Sequence, residues 1–205
     1  MNNQEIVAYI LIFGVLLASA YFYYVNKDEF NLKCVVSTVD GNKYCVRERS
    51  KVKQAVNLLA NTSTKCKTLI ERLNEDIESH KKPYKAGVIR LTEKFNPNKL
   101  METLPTSKYT AYSENKGEKL AFCLSDTSKK DVDHLIDEHT LMFVALHELA
   151  HIMTLSVGHK DDFWNNFKYL LEKAKEYGVH EPTNYKKEPA QFCGMKLNDN
   201  PYFDL

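Results

Sequence analysis

Residues 140–164 read TLMFVALHELAHIMTLSVGHKDDFW, and the string His147-Glu148-Leu149-Ala150-His151 at the centre decides how the rest of the chain is read. Residues four apart share one face of a helix, so His147 and His151 can present both imidazoles to a single metal ion. Glu148 lies about 100° further round the helix, where its carboxylate can address a water on such an ion and need not bind the ion itself. With seven histidines in 205 residues, this string arises by chance on the order of a percent or two of the time. Its surroundings add weight. Leu141, Met142, Phe143, Val144, Ala145, Leu146, Leu149, Ala150, Ile152, Met153 and Leu155 make the segment apolar on nearly every side, the pattern of a helix inside a core. Two histidines and a glutamate in such a helix are costly unless something compensates them, and a zinc ion does so.

Downstream, Gly158 reads as the helix stop, and His159 follows it at once. Asp161 or Asp162 is placed to cap a second helix carrying Phe163, Trp164, Phe167, Leu170, Leu171 and Ala174 on one side. A tight turn between the two helices brings His159 back toward the first pair. Catalytic zinc takes three protein ligands and leaves the fourth position to water, a count that His147, His151 and His159 fill. Two other arrangements compete for the third ligand. A metzincin needs Gly at 154 and His at 157, where this chain has Thr154 and Val157. A gluzincin-type acid on the next helix points to Glu172 or Glu176, but Glu172 falls mostly off that helix's apolar face.

The run HELAH, seven residues, then Gly158-His159-x-x-x-Phe163-Trp164 resembles the active-site signature of the WLM, SprT-like and YgjP-like group of small zinc metallopeptidases. In that group an aromatic commonly follows the third histidine by four or five residues. The resemblance is specific over Asp137 to Gly178 and faint elsewhere. It implies a zinc-dependent peptidase (Zn2+ as cofactor) with metal ligands His147, His151 and His159 and with Glu148 as the catalytic acid–base group. A short chain with an anchor before such a domain is also similar to predicted metallopeptidases of large DNA viruses. The fold class expected is α+β, an N-terminal transmembrane helix followed by a single small zincin-like domain.

The anchor is read from residues 6–25, which carry no charged side chain and are long enough, as a helix, to cross a hydrocarbon layer. Tyr21, Phe22, Tyr23 and Tyr24 at the far end suit an interfacial aromatic belt. Ala18-Ser19-Ala20 also fits a signal-peptidase site, but basic residues are missing before the apolar run and the run continues past the site, so an uncleaved anchor is favoured. No Lys or Arg precedes the span, whereas Lys27, Lys33 and Lys43 follow it, and the positive-inside rule then places the domain on the cytoplasmic side. Five cysteines (Cys34, Cys45, Cys66, Cys123 and Cys193) without C-x-x-C spacing fit either reduced thiols in the cytosol or one or two disulfides outside it. Asn61-Thr62-Ser63 is a glycosylation acceptor only in the second case.

Removing the anchor leaves about 175 residues, enough for one domain with a real core. The expected division is a tail over 1–5, an anchor over 6–25, a hairpin or linker over 26–49, the metallopeptidase domain over 50–178, and a C-terminal tail over 179–205 packed on it. Lys and Arg total 28 against 27 Asp and Glu, so charge offers no argument for a nucleic-acid partner. The partners expected are a protein or peptide substrate and the membrane, and oligomeric state is left open.

Cys34–Val39 and Lys43–Val46 flank Asp40-Gly41-Asn42 and read as a β-hairpin. Ser50 is placed to cap a long helix whose Val52, Val56, Leu59, Ser63, Cys66, Ile70, Leu73 and Ile77 form a narrow apolar stripe. Such a stripe either packs on its own domain or meets a coiled-coil partner. Pro83 follows that helix, a short helix is expected over Ala86–Phe95, and Asn96-Pro97-Asn98 is a break. Tyr109–Tyr112 and Lys119–Leu124 around Asn115-Lys116-Gly117 read as a second hairpin, either strand of which could hold an extended substrate by strand addition or simply complete the sheet. In the tail, His180 and Glu181 are expected at the surface, and Tyr185 is a minor candidate for an oxyanion donor. The competing class is a membrane-tethered interaction protein with a structural zinc site, closed by a fourth protein ligand and working through the striped helix. Repair of DNA-linked protein, known in the resembled families, is disfavoured by the anchor and the balanced charge.

Overall fold

A computed structural model describes residues 3–30, 32–104, 106–125 and 134–204. The chain begins with helix α1 (Asn3–Phe30). Within it, Ile6–Tyr24 is long and apolar enough to cross a membrane, and its side chains are exposed. Residues 1 and 2, and the side chain of Lys27 on which the orientation argument partly rests, lie outside the described residues.

Strands β1 (Lys33–Val36) and β2 (Lys43–Val46) pair antiparallel, with Cys34 opposite Cys45 and the two joined as a disulfide. Asp40 organises the turn: its Oδ1 accepts from Asn42 N at 3.0 Å and its Oδ2 from the Tyr44 hydroxyl at 2.6 Å. Helix α2 (Val52–Glu75) starts one residue later than the Ser50 cap implied, with Lys51 at its N-terminal boundary making no side-chain cap. Its stripe is wider than expected, because Ala55, Ala60, Thr62 and Leu69 are also buried. The stripe is therefore spent inside this domain and does not meet a coiled-coil partner. Asn61 lies mid-helix and donates to Glu138 Oε2 at 2.9 Å, with Thr62 and Ser63 buried beside it, so the sequon is built into the packing. Pro83 opens helix α3 (Lys82–Lys94), because a proline in the first turn forfeits an N–H that has no helical partner.

Strand β3 (Leu100–Glu102) was not foreseen: it is three residues long, and strands that short carry no readable period. Strands β4 (Ala111–Glu114) and β5 (Lys119–Phe122) form the second hairpin, antiparallel in register Ala111↔Phe122 to Glu114↔Lys119. The sheet order is β1-β2-β3-β5-β4, with β3 parallel to both β2 and β5. Glu102, in the central strand and 1 % exposed, is matched by Arg49 and Arg47, whose own N–H donates to Glu102 Oε2 at 2.7 Å. Removing either arginine would leave a buried carboxylate short of partners.

Helices α4 (Glu138–Met153) and α5 (Asp161–Glu176) complete a helical layer on one face of the sheet. Leu59, Leu120, Phe122, Leu141, Leu149 and Phe167 meet in the main core. Leu32, Met101 and Ala121 form a small cluster on the opposite face, with Tyr112 and Leu104 against it. Gly87 of α3 allows α4 to approach closely: a Cβ there would meet Met153 Cγ at 2.7 Å. The tail contains a further hairpin, β6 (Ala190–Phe192) and β7 (Met195–Leu197). A Cys193–Cys123 disulfide ties it to the end of β5. The architecture is α+β, with one apolar N-terminal helix ahead of a single mixed sheet and its helices.

Candidate metal centre

Helix α4 is defined at both ends. Asp137 Oδ1 accepts from Thr140 N at 2.8 Å, and Glu138 in the first turn complements the helix dipole. At the other end the helix stops at Met153, five residues before Gly158. The stop signal is Thr154, whose Oγ1 donates to the Ala150 carbonyl at 2.7 Å. Arg90 then donates twice to the Met153 carbonyl, at 2.6 and 3.2 Å, and Lys116 Nζ donates to the carbonyls of Thr154, Leu155 and Ser156 at 2.8, 2.9 and 3.3 Å. Two cations thus take up carbonyls that the helix end leaves unpaired. Gly158 has φ +82° and turns the chain inside the loop 154–160. Asp162, in the first turn of α5, accepts from Ser156 Oγ at 2.7 Å, and Asn166 Nδ2 donates to Thr154 Oγ1 at 2.8 Å. The loop that carries His159 is held from α3, from the β4–β5 turn and from α5.

The result is convergence. His159 Nε2 lies 3.0 Å from His147 Nε2 and 3.1 Å from His151 Nε2. Among the described residues these three form the one cluster of metal-ligating side chains, with all ligand atoms within 4.8 Å of one another. Three nitrogens on a tetrahedral zinc at about 2.0–2.1 Å stand about 3.3 Å apart, so the donor set fits such an ion in kind, number and spacing. Glu172 and Glu176, the acidic alternatives, are exposed on α5, and Glu176 accepts from Lys173.

Burial sets the protonation states. It pushes His147 down to about 3, helped by His151 and His159, and pushes His151 down to about 4, helped by His159 and Lys116. Both rings are neutral at neutral pH, as metal ligands must be. Burial also raises the Glu148 carboxyl to about 7, and a cation held by the neighbouring imidazoles would draw it back down. Phe163 of α5, fully buried, packs against all three imidazoles at centroid distances of 4.9, 4.3 and 4.7 Å, fixing their planes from behind. Its signal in the sequence was the aromatic four residues beyond His159.

In front of the imidazoles lies a cavity of about 500 Å³ between α4 and the edge strand β4, lined by Ala111, Tyr112, Lys116, Glu148, Val157 and the three histidines, among others. Tyr185 is not part of its lining. It is 2 % exposed, its ring meets Phe143 edge-on at 4.8 Å, and burial and then Asp137 raise its phenol to about 12. That is the N-terminal end of α4, away from the histidines, so the oxyanion role is not supported. His180 departs from expectation too. It is 6 % exposed and stacks on His139 at 4.4 Å, because the tail folds back over α4. Glu181 does stay at the surface, paired with Lys175 at 2.7 Å.

No family model matches the chain. An uncharacterized protein, R325, of Acanthamoeba polyphaga mimivirus is 25% identical over 186 residues, which span 91% of this chain and 92% of that relative. Uncharacterized protein 136R of Invertebrate iridescent virus 6 is 36% identical over 61 residues, or 30% of this chain and 34% of the relative. Uncharacterized protein 042R of Invertebrate iridescent virus 3 is 39% identical over 59 residues, covering 29% and 36% of the two chains. Among solved structures, the crystal structure of Wss1 from Saccharomyces cerevisiae aligns at a TM-score of 0.47 and 20% identity, covering 65% of this chain and 89% of that one.

Proposed function

We propose that the chain is a membrane-anchored, zinc-dependent peptidase in which His147, His151 and His159 hold the metal and Glu148 is the general base and acid. One observation carries this reading: three imidazole nitrogens converge, with no fourth Cys, His or carboxylate in the cluster among the described residues, beside a cavity that a buried glutamate also lines. A structural zinc site is closed by four protein ligands, whereas a catalytic one keeps a position open. The interaction-protein alternative loses its working surface as well, because the α2 stripe is buried in the domain.

When bound, zinc supplies a water of near-neutral pKa and polarises a carbonyl. The chain's own groups do the rest. His147 and His151 arrive neutral, and Phe163 holds the rings in position. Glu148, 6 % exposed and lining the same cavity, would accept a proton and return it to a leaving amine. Strand β4 is the last strand of its sheet and borders the cavity, so a protein or peptide substrate can pair with it in extended form. No nucleic-acid partner is proposed.

The anchor is α1. Its flanking lysines favour the cytoplasmic side for the domain, but the Cys34–Cys45 and Cys123–Cys193 disulfides weigh toward an oxidising compartment. We give the disulfides precedence, because the cytosolic thiol pool reduces such bonds while a three-lysine bias is only a tendency. The test of the peptidase reading is metal content of the full chain together with cleavage of a peptide library with and without a chelator. Stoichiometric zinc and chelator-sensitive cleavage are expected. A zinc-loaded chain that cleaves nothing overturns the reading.

A further inference from the structure

A second cavity, of about 700 Å³, lies on the other side of β4, lined by Leu104, Lys108, Tyr109, Tyr112 and Glu114 among others. It shares Tyr109, Tyr112 and Ser113 with the histidine cavity, so the edge of β4 is the wall between them. The pleat decides what faces each side. Ala111 packs on the main core beneath α4, while Tyr112 packs on the small cluster of Leu32, Met101 and Ala121 across the sheet. A chain added to the outer edge of β4 continues that alternation, directing successive side chains to opposite faces of the sheet. One set points toward the histidines and the other toward the second cavity.

We propose that this second cavity is a specificity subsite that takes a large apolar or aromatic side chain of a peptide paired with β4. The proposal rests on the peptidase reading only for the purpose of the peptide, not for its binding. The chemistry of the walls selects the occupant. Tyr109 and Tyr112 stand edge to face at 6.3 Å, Tyr109 is 68% exposed, and Leu104 lines the same cavity. Two phenol rings and an aliphatic side chain form the apolar part of the wall, beside Ser107, Lys108 and Asn115, and offer an apolar or aromatic group of a bound peptide faces and edges to pack against. Glu114, which pairs with Lys119 at 2.5 Å, and Lys108 also line the cavity, so its charged groups are of both signs and select neither a basic nor an acidic side chain by net charge.

The experiment uses the full chain carrying Glu148→Gln, zinc-loaded and held in lipid nanodiscs, so that bound peptide is not cleaved. Binding is read by fluorescence anisotropy on a set of end-blocked peptides identical except at one scanned position, which carries Phe, Leu, Ala, Asn or Asp. At one position Phe and Leu are expected to bind at least tenfold tighter than Ala, Asn and Asp, within the range set by filling an apolar pocket. Adding Tyr109→Ala, at an exposed position where folding is not at stake, is expected to erase that preference while bound zinc stays at one per chain. Leu104→Asp is the second variant and should reverse the order of Leu and Asn. The proposal is overturned if no position discriminates, if no peptide binds, if the preferred residue is charged, or if both variants keep the parental order. Cleavage by the parental chain judges the other reading separately: cleavage without the preference sinks the subsite alone, and the preference without cleavage sinks the peptidase alone.

Discussion

Lys116 Nζ sits 2.8 Å from the carbonyl oxygen of Thr154, and the same ammonium reaches the next two carbonyls of the loop. The residue belongs to the β4–β5 turn, at φ +54°, so one side chain ties the β4–β5 hairpin to the loop that delivers His159. A neutral side chain of similar length would leave three carbonyls to water and remove one of the loop's three holds, with Arg90 and the α5 contacts of Asp162 and Asn166 left in place.

Lys116→Met is therefore expected to weaken zinc binding about tenfold, the low end of what outer-shell partners of metal ligands contribute, and Lys116→Arg should restore most of it. Competition against a chromophoric chelator measures both. Equal affinity in all three proteins would show that the loop holds itself.

Glu148→Gln should retain one zinc per chain and lower peptide hydrolysis by about 10²- to 10⁴-fold, the usual contribution of a positioned acid–base group. His147→Ala should instead lose the metal and, with it, stability. Metal analysis and steady-state cleavage of the same preparations separate the two effects. Glu148→Gln cleaving at the parental rate removes the glutamate from the mechanism.

His180 is held down to about 4 by burial, then by His139 and Lys65, against about 6.5 in an unfolded chain. Between those values the unfolded chain binds the extra proton, so stability rises with pH across that window and is lost as pH falls from about 6.5 toward 4. The contribution is roughly 3 kcal/mol over the whole window, about 2 kcal/mol of it between pH 7 and pH 5. Denaturant midpoints at pH 7 and pH 5 should therefore converge in His180→Phe relative to the parental chain. An unchanged gap between the midpoints would place the acid sensitivity elsewhere.

Cys123 and Cys193 are 70 residues apart in the chain, whereas Cys34 and Cys45 are 11 apart. In the loop-entropy picture the longer link stabilises by about 4 kcal/mol and the shorter by about 3. The double variant Cys123→Ser, Cys193→Ser should therefore unfold at the lower denaturant concentration of the two pairwise knockouts. Protein taken from its native membrane and denatured without reductant should alkylate at one thiol, Cys66, which is buried and raised to about 12 by that burial. Five reactive thiols would return the domain to the cytosolic side.

What can be read from the chain itself is set by short-range geometry. The i, i+4 spacing places His147 and His151 on one helix face, the length and composition of Ile6–Tyr24 suit a membrane span, and Asp40-Gly41 and Asn115-Lys116-Gly117 turn two hairpins. His159 was legible as a candidate because only seven residues separate it from His151, a reach that a single turn between helices covers. Long-range pairing decided the rest. Strand β3 exists because β2 and β5 flank it. The Cys123–Cys193 pairing follows from where the tail hairpin meets β5, and His180 is buried because the tail returns across α4. Lys116 acquires its role from carbonyls 38 to 40 residues away. Each of these depends on which surfaces meet after chain entropy has been spent, and local spacing holds no record of that.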